Sequence, residues 1–437
     1  MKDLKEAAKS IYLRTVKSLD LETVIGERVK VVDDILFVDE EEMNLSLFKE
    51  VVLIGFGKAS IRMGAAIERM LGNHIKRGIL VTNRRSSIKV NSQVIVAGHP
   101  FPDANSFRAG ENILKMIPSC NSDSLIIFLI SGGGSSLVEL PLLDQVTTED
   151  MKDLNRILIN SGATIREINV LRKHLSLIKG GRLGFLARGR RCIALYVSDV
   201  NEGDLRSIAS NPLLPDEVTR EEFFYLINEY KLLDKLPSSI SRAIVDKQVP
   251  EIPSEWHTEG PAPRCLLLLE NRDVIERAIR IAREDGYVTS SDSNQPEGSY
   301  REIADNLINR LRDLRSKNPH AMLCIISGGE VSCAVEGNGL GGRNQEFVLY
   351  SAAQLAISGF EATAVLSCGT DGIDGNSFAT GAVADLQMIR NAERRGLDVR
   401  QFLRRNDSHS FFQEMGGMVV TGPTENNVRD VRVLLAH

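Results

Sequence analysis

The chain has 437 residues, too many for one ordinary core, so two domains with ample buried volume are the simplest division. Its 53 Lys and Arg against 58 Asp and Glu give a net charge of −5, which offers no footprint for nucleic acid or an anionic membrane and favours a small-molecule partner. The six cysteines form no CxxC pair, no signal-peptide stretch opens the chain, and no segment approaches the roughly 20 apolar residues that span a bilayer, all of which points to a cytoplasmic protein.

Residues 3–19 place Leu4, Ala7, Ala8, Ile11 and Val16 near a helical period, which predicts an amphipathic opening helix. Short Val- and Ile-rich runs follow at 51–54, 78–82, 93–97, 125–130 and 192–197, separated by helix-compatible stretches. Apolar strands interleaved with helices predict a buried parallel sheet covered on both faces, an α/β Rossmann-like domain over 1–250. Four of the 14 prolines fall between Pro250 and Pro263, so 251–263 reads as a linker. Beyond it, 264–437 reads as a second α/β domain, with strands at 265–269, 322–326, 331–335, 363–367 and 418–421 and helices at 272–285 and 298–316. The run 331–335 follows 322–326 so closely that a hairpin is expected there, and with it a mixed sheet.

Ligands of open α/β sheets bind beyond the carboxyl ends of the strands, so the glycine-rich turns that end these runs are where chemistry belongs. Gly55-Phe56-Gly57-Lys58-Ala59-Ser60 pairs backbone N–H groups and a helix start with a full positive charge, which suits an anion. It is neither a complete dinucleotide fingerprint nor a P-loop. Ser131-Gly132-Gly133-Gly134-Ser135-Ser136 offers unhindered N–H groups and three hydroxyls, a cradle for a carboxylate or phosphate. Asp199, just past the run 192–197, suits Mg²⁺ or a turn cap equally. The second half is denser: Glu330, Arg343, Asn344, Glu346, Asp371 and Asp374 all sit near strand ends or glycine-rich loops. Hard oxygen ligands beside an arginine are what Mg²⁺-assisted phosphoryl transfer needs, with Glu330 and Asp374 as candidate metal ligands. The seven histidines are scattered, without an HExxH or Cys/His cluster, so the sequence offers no zinc site.

At these residues the chain resembles the glycerate 2-kinase family, whose C-terminal module is often called the MOFRL domain. The resemblance runs through GFGKAS (55–60), AGHPFPDANS (97–106), SGGGSS (131–136), INVLRKHLSLIKGGRL (168–183), SDV (198–200), SGGE (327–330), GGRNQE (341–346), GTDGIDG (369–375) and TGPT-x-x-N (421–427). It implies a Rossmann-like domain and a MOFRL-type domain with the active site in the cleft between them. It also implies ATP and Mg²⁺ as cofactors, D-glycerate as substrate, and phosphorylation at the 2-hydroxyl to give 2-phosphoglycerate. The family's functional positions fall on Lys58, Glu330, Arg343, Asp371 and Asn427, with Lys58, Arg343 and Asp371 the catalytic set. The chain departs from the family where Asn211 stands in place of a glycine in IASGPT, where the SDV-x-GDD-L glycine moves by one residue, and where Phe378 replaces a commonly acidic residue. A hydroxypyruvate reductase using NAD(P)H, a kinase of a related hydroxy acid and a sugar-acid sensor are the rival readings, and a homodimer is left open.

Overall fold

The apolar runs of the first half become strands of one sheet. The computed structural model describes residues 3–200, 204–252, 262–292, 297–358, 360, 362–424 and 427–437. The six strands of that sheet are ordered Gln93–Val96, Ile75–Thr82, Glu50–Phe56, Ser124–Ser131, Arg191–Val197 and Arg264–Leu269. The first five pair in parallel. Every residue of Ser124–Ser131 is buried, which is why that run carries no polar alternation. Numbered along the chain, these five strands run 3-2-1-4-5, so the order reverses between Glu50–Phe56 and Ser124–Ser131, where an α/β sheet opens a ligand crevice. Helices Thr148–Ile159, Ile165–His174 and Arg220–Glu229 enclose a separate core around Leu158, Leu171 and Phe223. An antiparallel meander, Val29–Val32, Ile35–Val38 and Glu41–Asn44, has no counterpart in the sequence reading, because its strands are four residues long and partly charged.

The second sheet is ordered Val288–Asp292, Leu323–Ser327, Asp430–Ala436, Thr363–Gly369, Gly381–Asp385 and Met418–Val419. It is mixed, but not through the expected hairpin. Val331–Ser332 pairs in parallel with Gly298–Ser299 in a two-stranded sheet of its own. Two strands run opposite to their neighbours instead: Asp430–Ala436, between Leu323–Ser327 and Thr363–Gly369, and Gly381–Asp385, between Thr363–Gly369 and Met418–Val419. Around Asp430–Ala436 that arrangement puts the carboxyl ends of two strands and the amino end of a third at one edge.

The compact units divide differently from the expected 1–250 and 264–437. One is Leu21–Leu268; the other joins Met1–Asp20 to Leu269–His437. The opening helix Leu4–Ser18 buries Ala8, Ile11 and Tyr12 within the second unit, and the Tyr12 hydroxyl donates to the Gly369 carbonyl at 2.7 Å. The run expected to open the C-terminal domain, Arg264–Leu269, extends the first sheet, where its leucines gain cover that an isolated strand would lack. Most of the expected linker, 253–261, lies outside the described residues.

Candidate active site

In the Leu21–Leu268 unit, the strands on either side of the order reversal end in turns that lock together. The Lys58 amide donates to the Gly132 carbonyl at 2.9 Å and the Ala59 amide to the Ser131 hydroxyl at 3.0 Å. Gly57 has φ of +129°, and a Cβ there would come 2.5 Å from the Ser131 carbonyl oxygen, so only glycine lets the turns meet. Gly55 is different: it lies within its strand, where a Cβ would strike Leu80, so its smallness serves packing. Gly133 has φ of +82°, and the place a Cβ would take lies 3.2 Å from His99 Nε2 and 3.4 Å from Lys58 Cγ. Lysine, imidazole and glycine turn therefore share one spot. His99 is exposed in area, yet desolvation by the surrounding turns, and then the Lys58 charge, push its imidazole down to about 4.

Ser135 and Ser210 hydroxyls lie 2.8 Å apart, and Ser210 donates to Asn169 at 3.1 Å. Ala209, Ser210 and Asn211 all have left-handed backbone, with φ of 51°, 57° and 55°. Such strain collects at functional sites and is held by surrounding bonds. Here Asn211, an amino acid that tolerates this region, donates through Nδ2 to Asp216 at 2.6 Å and accepts from the Leu214 amide at 3.0 Å. Asn211 thus holds a backbone conformation that otherwise favours glycine. Lys173 bonds Asp216 at 2.7 Å, and Lys179 pairs with Glu139 in full burial, so the charged motif around them is a framework for this loop. Ser136 donates to the Gly133 carbonyl at 3.2 Å. Asp199 is half-buried just past the Arg191–Val197 strand, at the same end of the sheet. Part of the displaced-glycine segment, 201–203, lies outside the described residues.

In the other unit, Arg343 opens the helix Arg343–Ser358 and is gripped from two sides. Its Nε and Nη2 donate to Asp430 at 2.7 and 3.0 Å, and Nη1 meets Glu330 at 2.8 Å. Burial opposes the guanidinium charge, but the two carboxylates hold its pKa above the usual value. Asn344 Nδ2 donates to Asp430 at 3.1 Å and reaches Asp374 at 3.3 Å. Asp374 accepts the amides of Asn344 and Gln345 at 3.0 and 2.9 Å. Both its oxygens therefore cap the helix start, and burial raises its pKa in spite of those bonds. Asp371 Oδ1 accepts from the Ile373 amide at 3.1 Å, and a point beside Gly369 lies 3.1 Å from that oxygen and 3.6 Å from Asp430 Oδ1. Asn427 is half-buried in the segment that leads into the Asp430–Ala436 strand. Phe378, at the departure from the family pattern, packs edge-on against His409 with ring centroids 4.9 Å apart.

Residues absent from the sequence reading complete this site. Arg432 is fully buried and donates to the carbonyls of Gly328 and Gly329; burial pushes its pKa down to about 10. Asn271 accepts the Gly329 amide at 2.8 Å and donates to the Val428 carbonyl at 2.6 Å. Together they fix the Ser-Gly-Gly turn that carries Glu330. A cavity of about 510 Å³ opens beside Arg343, lined also by Val331, Cys333, Gly341, Glu346 and Asn376. Among the described residues no group of three or more His, Cys, Asp or Glu is placed to hold a metal ion.

Comparison with known proteins identifies the family. A model described as domain of unknown function DUF4147 matches residues 7–245, and the MOFRL family model matches 323–430. A D-glycerate 2-kinase from Thermotoga maritima is 34% identical over 98% of both chains. The chain belongs to the glycerate 2-kinase family. A family relative from Agrobacterium vitis, 35% identical over 88% of this chain and 86% of its own, is named provisionally as a hydroxypyruvate reductase. The crystal structure of glycerate kinase from Thermotoga maritima shares the glycerate 2-kinase fold seen here, with a TM-score of 0.84 at 31% identity over the full length of both chains. No described helix is long and apolar enough to cross a membrane.

Proposed function

We propose that this protein transfers the γ-phosphoryl group of ATP to the 2-hydroxyl of D-glycerate, giving 2-phosphoglycerate, in the cytoplasm. The observation that carries the reading is the locked pair of turns at the sheet's order reversal, which presents Lys58 beside the glycine-rich loop 131–136. A relative named D-glycerate 2-kinase, matched over 98% of both chains, supports it. Loop 131–136 takes the glycerate carboxylate, while Lys58 and Arg343 neutralise phosphate charge as the phosphoryl group moves. The reading requires both cations to act on one triphosphate.

Mg²⁺ is held by one or two carboxylates together with phosphate oxygens and water, so the site needs no preformed protein cage. Glu330 and Asp371 fit that donor set, with Asp199 as a further candidate. Asp374 fits it poorly, because helix amides occupy its oxygens. When bound, the ion would neutralise charge on the transferring phosphoryl group. Asn344 and Asn427 are assigned to positioning.

The reductase alternative would need the Gly55–Gly57 turn for a nicotinamide cofactor. The neighbouring strand Ile75–Thr82 leads into Asn83-Arg84-Arg85 and lacks the carboxylate that holds an NAD ribose, although the arginines could accept NADP. A ³¹P NMR assay with ATP, Mg²⁺ and D-glycerate tests the proposal. 2-Phosphoglycerate is the expected product; 3-phosphoglycerate or no product would overturn it.

A further inference from the structure

His99 lies at the mouth of the same crevice and has no part in the scheme above. The strand Gln93–Val96 delivers it to the carboxyl edge of the sheet, and the Ala97 amide ties that exit to the Thr82 carbonyl at 2.9 Å. Beyond it, Asp103 caps the helix Ala104–Met116, and Asn105 returns a hydrogen bond to the Val96 carbonyl at 2.7 Å. A Cβ on Gly98 would strike the Phe101 carbonyl at 2.4 Å, so the backbone before His99 folds tightly on this capped segment. Backbone bonds thus place the imidazole from both sides. Its Nε2 edge faces the Gly133 turn with the Lys58 side chain adjacent, all within one unit.

We propose, resting on the glycerate-kinase reading, that His99 is the proton acceptor for the glycerate 2-hydroxyl. The hydroxyl oxygen bonds to the γ-phosphorus as the bond from that phosphorus to the β,γ-bridging oxygen breaks. The hydroxyl proton passes to His99 Nε2, and ADP leaves with the bridging electron pair. Three features support the assignment. Loop 131–136, assigned to the glycerate carboxylate, would bring the neighbouring hydroxyl within reach of a group beside Gly133. The exposure of the residue leaves His99 open to a ligand. The imidazole is neutral at physiological pH with a lone pair available, and the anionic phosphates of bound ATP would offset the desolvation and Lys58 charge that hold its pKa at about 4. Asp371 is then left to the metal.

The test compares His99→Ala and His99→Gln with wild type in steady-state kinetics. Glutamine places an amide near the Nε2 position and keeps a hydrogen bond, but takes up no proton. Both variants are expected to lose about 100-fold in kcat, with KM for ATP and thermal melting nearly unchanged. A glutamine variant with near-wild-type kcat would overturn the proposal. NMR of the wild-type His99 imidazole, titrated with D-glycerate, gives a second readout that does not depend on turnover. A shifted ring resonance is expected, and an unmoved one overturns the contact. Absence of wild-type turnover with a shifted His99 signal would count against the kinase reading while leaving glycerate contact at His99 standing.

Discussion

Arg343 and Asp430 meet through two parallel hydrogen bonds, Nε to Oδ2 at 2.7 Å and Nη2 to Oδ1 at 3.0 Å, with the carboxylate fully buried and the guanidinium one-third exposed. A forked pair of this kind fixes the guanidinium plane as well as its charge. The exposed part of the arginine is thereby aimed by a residue that solvent and ligand do not reach. Asp430→Asn preserves shape while removing the charge. It is expected to lower kcat by about tenfold and stability by about 2 kcal/mol, since hydrogen bonds to charged groups contribute on that order. Turnover and urea unfolding of one preparation measure both.

Lys58 and Arg343 are proposed to act on the same phosphate chain. Each alanine variant is expected to lose about 100-fold or more in kcat without unfolding. Groups that stabilise one transition state as a unit are not additive, so the double variant should lose much less than the product of the single losses. Strict additivity in a double-mutant cycle would place them in separate roles.

The strands read from the first half are legible because Val- and Ile-rich runs such as 125–130 and 192–197 are buried on both faces and so show no polar interruption. Asp430–Ala436 escaped for the opposite reason. It is a central strand that begins Asp-Val-Arg, and isolated charges there argue against burial until their partners are known. Those partners, Arg343 and the Gly328 and Gly329 carbonyls, come from distant sequence. His99 was hidden differently: the motif AGHPFPDANS is visible, but a lone histidine reveals nothing until the fold sets it beside Gly133 and Lys58. Asp374 is the converse case: its glycine-flanked loop suggests a metal ligand, while its oxygens accept the amides of a helix start.

Glu346 is buried beside the cavity, and burial pushes its carboxyl up to about 7, with Ser408 opposing and Asp374 adding to the rise. The folded protein therefore keeps a proton that the unfolded chain, titrating near the usual carboxylate value, gives up earlier. Protons bound in the native state exceed those in the unfolded state between these two values, so stability falls as pH rises through that window. Glu346→Gln should remove this slope. Unfolding free energies of variant and wild type, measured at pH 5 and pH 8, are expected to differ in the variant's favour by about 2–3 kcal/mol more at the higher pH. An unchanged difference between the two pH values would assign the pH response to other groups.

Asn211 holds the last of three consecutive left-handed residues through bonds to Leu214 and Asp216. Alanine would keep the backbone strain and lose every side-chain bond, leaving Asp216 short of one of its donors. Asn211→Ala is therefore expected to destabilise the fold by about 2–3 kcal/mol. Glycine would lose the same bonds but adopt the left-handed backbone without cost, so Asn211→Gly should be the milder change by about 1 kcal/mol. Thermal unfolding of the two variants gives the order directly. Because Ser210, one residue earlier, bonds Ser135 of the proposed carboxylate cradle, the alanine variant should also raise KM for D-glycerate more than KM for ATP. Equal effects on both constants would separate this loop from acceptor binding.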